Sequence, residues 1–103
     1  MDSVPTGDVV ARPQLRLRMI LFVAGREPNS ELARENLARI GAGRDERWDV
    51  EIVDVLEDYE KALGYNILVT PCLVVLEPEP RVTIVGTLRD RAKVKAALRL
   101  QGG

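Results

Sequence analysis

Leu15, Leu17 and Met19 alternate with Arg16 and Arg18, and from Ile20 to Ala24 every residue is apolar. Alternation followed by an unbroken run predicts a strand whose first half has one wet face and whose second half is buried on both sides. Ala33, Leu37 and Ile40 then recur at i, i+4 and i+7, with Leu32 widening the stripe, which predicts an amphipathic helix from about Asn29 to Ile40. Asn29 or Ser30 is expected to cap it, and Gly41 and Gly43 to end it. Trp48 to Val55 alternates again, with Trp48, Val50 and Ile52 on one face and Val53 and Val55 on the other. Asp54 falls on the Trp48 face, where another apolar residue is expected.

Asp58 to Leu63 predicts a short helix with Tyr59, Ala62 and Leu63 on one side and Gly64 at its end. The stretch from Tyr65 to Val69 has no clear period. Thr70-Pro71 follows, then Cys72 to Leu76 as a strand, Glu77 to Pro80 as a turn, and Val82 to Val85 as a strand broken by Gly86. Thr87 and Asp90 have the spacing of a capping box, with Asp in place of Glu. The last helix is expected to turn Leu88 or Ala92, Val94, Ala97 and Leu98 inward.

The order is β-α-β-α-β-β-α. A strand–helix–strand unit of this length implies parallel pairing with a right-handed crossover. The two later strands read as an antiparallel hairpin covered by the last helix. This is the outline of an α/β thioredoxin-like sandwich. Residues 15–100 form the expected domain, with tails at 1–14, where Pro and Gly break any period, and at 101–103.

With 103 residues the chain holds one core. A net charge of -1 gives no long-range attraction to nucleic acid or an anionic membrane. No apolar run approaches the roughly 20 residues of a membrane span, and the N-terminus lacks a signal pattern. One Cys excludes an intrachain disulfide, and zero His removes the commonest general base. The expected compartment is the cytoplasm, and no cofactor or metal site is read from the residues.

Thioredoxin-like enzymes carry a Cys at the start of the first helix, where helix N–H groups favour the thiolate. Here that place is Arg26 to Ser30, without a thiol. Ser30 has no neighbouring base and reads as a cap. Thr70-Pro71 stands where the fold has a cis proline facing that loop. Cys72, beside it, is either a buried small hydrophobe or, in the alternative reading, the thiol of a redox or stress-response protein. Asp54 is a candidate acid or base if buried, and otherwise a strand-end residue bonded to loop backbone. Arg89, Asp90, Arg91 and Lys93 form a mixed charge run, either solvated helix surface or a partner-facing patch.

Four stretches together resemble the KaiB family of bacterial clock proteins: LFVAGREPNS at Leu21–Ser30, VEIVDVL at Val50–Leu56, ILVTP at Ile67–Pro71 and PEPRVTIVGTLRDRAKV at Pro78–Val94. The EPEPR run is also similar to the KaiB-like sensor domain of some histidine kinases. The resemblance implies a non-enzymatic binding protein whose partner is a KaiC-like hexameric ATPase, in circadian or stress-type signalling. It implies a metamorphic fold: a thioredoxin-like form, and a β-α-β-β-α-α-β packing that self-associates as homodimer or homotetramer. Pro71, Gly86 and Asp54 match the family's Thr-Pro element, its glycine in the switching segment and its Asp-Val-Leu motif. Thr87, Arg89 and Asp90 continue that segment and complete the expected fold-switch and partner-binding set. Thr87 stands where clock members often have Asp, Glu57 where they often have Lys, and Leu17 replaces a common Tyr. These departures, with the lack of an acidic C-terminal tail, count against a KaiA-like partner.

Overall fold

A computed structural model describes residues 16–44 and 47–100, so the expected tails at 1–14 and 101–103 lie outside the described residues. Strand β1 (Arg16–Val23) leads to helix α1 (Pro28–Gly41), then β2 (Arg47–Asp54), α2 (Tyr59–Gly64), β3 (Cys72–Glu77), β4 (Val82–Val85) and α3 (Arg91–Ala97). The four strands form one sheet in the order β2-β1-β3-β4. β1 pairs parallel with β2, and antiparallel with β3, which pairs antiparallel with β4. This is the thioredoxin-like arrangement of the two that the resemblance implied.

The period of two along β1 sorts its side chains into two cores. Leu17, Met19, Leu21 and Val23 pack with Ala33, Leu37 and Ile40 of α1 and with Val94 and Leu98 at α3. Ile20 and Phe22 face the other way, with Val53, Cys72, Val74 and Ala62 of α2. Helices therefore cover both faces of the sheet. Arg16 and Arg18 sit on the α2 side beyond the reach of that short helix. They meet Asp49 at 2.9 Å and Glu77 at 3.4 Å, exposed pairs that shield the wet half of the strand.

Several expectations change at the surface. Leu32 is 43% exposed, and only Ala62 of the expected α2 stripe is buried, with Tyr59 and Leu63 facing solvent. Val50 and Ile52 share the Leu21 side of the sheet, but β2 is an edge strand and α1 leaves them half open. Leu88, rather than Ala92, is the inward residue before α3.

The helix starts also differ. The N-cap of α1 is Glu27, whose carboxylate accepts the N–H groups of Asn29 at 3.2 Å and Ser30 at 3.0 Å. Pro28 at the first helical position loses nothing by lacking an N–H there. Ser30 is fully buried one turn in, where its hydroxyl oxygen accepts the Ala24 N–H at 3.0 Å. The N-cap of α3 is Asp90 itself, accepting the Lys93 N–H at 3.1 Å, so Thr87 and Asp90 form no capping box.

Candidate functional site

The parallel pairing of β1 and β2 brings the ends of both strands to one edge of the sheet. The antiparallel pairing of β3 and β4 brings the start of one and the end of the other to the same place. Phe22 lies opposite Cys72, and Cys72 opposite Val85. Asp54, Pro71, Cys72 and Gly86 are thereby gathered at one end, with Thr87 directly after. Arg89 and Asp90 are exposed at the entry to α3.

Hydrogen bonds knit this end together. One oxygen of Asp54 accepts both the Gly25 N–H and the Leu56 N–H, each at 3.0 Å. The strand-end role bonded to loop backbone is thus the one Asp54 fills. Gly25 has φ +54, a left-handed turn that glycine adopts without a Cβ clash. The Gly86 N–H donates to the Pro71 carbonyl at 2.9 Å, joining the end of β4 to the segment before β3. The Thr70–Pro71 bond is cis. Thr87 offers its carbonyl to the Asn36 side-chain amide at 2.8 Å, which ties the segment after β4 to α1.

Cys72 is buried, and burial pushes its thiol above the ordinary value of 9.0. A reactive thiol needs the opposite: exposure and a neighbour that favours the thiolate. At the place where a catalytic Cys would stand, Arg26 is exposed and Glu27 is spent on the cap. No cluster of three or more metal-ligating side chains lies among the described residues. No described helix is long and apolar enough to cross a membrane.

What the end of the sheet does offer is apolar surface. Leu56, Leu68, Val69 and Val85 come from three segments meeting there and are 73%, 90%, 51% and 58% exposed. Scattered exposed leucines are ordinary, but several around one built loop cluster suit a protein partner. Pattern reading missed them, because Leu56 follows β2, Val85 ends β4 and Leu68 and Val69 lie in the stretch without a period. It also missed Glu27, although Glu directly before Pro at a helix start is a usable signal.

Comparison with known proteins agrees with this geometry. The KaiB domain family matches residues 20–100. The chain is 33% identical over 84 residues to the circadian clock protein KaiB3 of Synechocystis sp., covering 81% of this chain and 82% of that protein. It is 37% identical over 93 residues to the circadian clock oscillator protein KaiB of Prochlorococcus marinus, covering 89% and 85%. Among solved structures, the N-terminal domain of Synechococcus elongatus SasA superposes with a TM-score of 0.69 at 23% identity, over 100% of this chain and 98% of that one. Fasciola hepatica thioredoxin superposes with a TM-score of 0.67 at 16% identity, over 93% and 91%. At these identities the two structures speak for the fold alone.

Proposed function

The chain belongs to the KaiB family of circadian clock proteins, and from that premise we propose that it is a non-enzymatic regulatory binding protein that engages a KaiC-type ATPase. The observation that carries this reading is the end of the sheet. Its loops are fastened by Asp54 and by the Gly86–Pro71 bond, and it presents Leu56, Leu68, Val69 and Val85 to solvent. A rigid rim with apolar anchors suits docking, where a few desolvated side chains carry most of the affinity. The same end has a buried, proton-holding thiol and no histidine, which suits a binder better than a catalyst.

Asp54, Pro71, Gly86, Thr87, Arg89 and Asp90 are assigned to fold switching and partner binding. In this reading the half after Leu56 repacks into a self-associating form in the cytoplasm. Two packings of one sequence differ by only a few kcal/mol. If the thioredoxin-like form is the competent one, association is slow in proportion to its population.

The experiment is a pull-down of the full chain with the KaiC-type ATPase of its own organism, with ATP, followed over many hours. Slow formation of a stoichiometric complex is expected. Its absence, with the protein shown folded by circular dichroism, sinks the reading.

A further inference from the structure

A groove of about 260 Å³ runs between the edge strand β2 and helix α1. Leu21, Leu37, Ala38, Trp48, Val50 and Ile52 line it, and Arg34 stands at its side. It shares no residue with Asp54, Pro71 or Gly86 at the end of the sheet. The indole is seated by Gly41, where a Cβ would come within 3.3 Å of Trp48 Cε3 and Cζ3 and push the ring back by a few tenths of an ångström. That contact uses the part of the ring away from Nε1.

Two N–H groups beside this apolar space have no acceptor among the described residues. Arg34 Nε and Trp48 Nε1 are both shielded from solvent and meet no hydrogen-bond partner among the described residues. Buried polar groups are nearly always bonded, so two orphans on one groove call for an explanation. Both are donors only, and the guanidinium is a cation. Among the described residues the groove lining contains no carboxylate to answer it.

We propose that this groove binds a small organic carboxylate with a compact apolar body, either a single aromatic ring or a branched aliphatic chain. A carboxylate accepts without donating, so one head group answers both N–H donors and neutralises Arg34. Its body lies against the indole and the aliphatic wall. The size limit follows from the volume, which is just under the roughly 300–1,000 Å³ of pockets for larger ligands. Both nitrogens are covered in the free chain, so entry moves the long Arg34 side chain, a rotamer change of the kind common at binding surfaces.

The chain has one Trp, so its nitrogen-correlated NMR spectrum carries one indole N–H resonance, a direct reporter on Trp48. The full chain is titrated with phenylacetate and, separately, with 2-phenylethanol, an uncharged probe of similar shape. Phenylacetate is expected to move the indole resonance downfield and saturably, with 2-phenylethanol about tenfold weaker. Arg34→Gln, on a half-exposed helix position, is expected to keep the folded spectrum and weaken phenylacetate at least about fivefold. No indole shift up to about 10 mM probe, beyond the range of even weak millimolar binding, overturns the proposal. So does an equal response to both probes, or an affinity unchanged in Arg34→Gln. An indole resonance that moves with protein concentration alone assigns the groove to a second copy of the chain and also overturns it.

Discussion

Asp54 accepts the Gly25 N–H at 3.0 Å, so the end of β2 fixes the loop that follows β1. The same oxygen accepts the Leu56 N–H at 3.0 Å and fixes the turn into α2. Removing the carboxylate strands the partly buried Gly25 N–H, which costs on the order of 1–3 kcal/mol when left unmet, and leaves the exposed Leu56 N–H to water. Asp54→Ala is therefore expected to lose about 1–3 kcal/mol in urea unfolding. Asp54→Asn keeps a carbonyl acceptor and loses less. Equal losses for the two variants contradict this account.

Gly25→Ala tests the turn itself. The left-handed φ of +54 costs a side-chain-bearing residue about 1–2 kcal/mol. The nearest atom to an added Cβ is Leu56 Cδ1 at 3.3 Å, the tip of an exposed side chain that can move away. The cost is thus backbone strain, and a second change of Leu56→Ala should not restore stability. Rescue by that second change makes the contact responsible instead.

For Cys72 the folded chain holds the thiol proton more tightly than the unfolded chain, because burial raises the thiol above 9.0. The unfolded state loses its proton first as pH rises. This contribution is fully present below about pH 9 and is lost as pH rises from there through the folded value. Relative to Cys72→Ala, the parent chain should lose stability above pH 9 and not below it. Alkylation should be slow at neutral pH and fast in denaturant. Rapid modification of the native protein revives the thiol chemistry that burial argues against.

Leu68 is 90% exposed, so Leu68→Asn should leave stability within about 0.5 kcal/mol. If the end of the sheet is the docking face, the same change should weaken binding of the KaiC-type ATPase at least about fivefold, roughly 1 kcal/mol. Unchanged binding by Leu68→Asn and by Leu56→Asn together moves the interface elsewhere on the molecule.

Much of the fold is written locally. The alternation from Arg16 to Met19 and the apolar run to Val23 describe β1 as found, because a period of two depends only on which face each neighbour covers. The α1 stripe of Ala33, Leu37 and Ile40 is buried as its spacing requires. The helix starts were less legible. Ser30 and Thr87 carry good capping side chains, but the chain turns earlier at Glu27 and later at Asp90. Tertiary bonds use Ser30 to hold Ala24, and the Thr87 carbonyl to receive Asn36.

The site divides in the same way. Residue types alone were enough to leave the first-helix loop without a nucleophile, and the motifs at Leu21–Ser30 and Pro78–Val94 pointed to the family. Asp54 stood out in the pattern only as a polar residue on an apolar face. Strand pairing across the sheet decided that it lies beside Gly25, 29 residues away, and that Pro71 meets Gly86. The open Val50 and Ile52, and the unmatched N–H groups of Arg34 and Trp48, were decided there too. Burial and hydrogen-bond satisfaction depend on what a neighbouring element covers, and periodicity carries no record of where α1 stops short of the edge strand.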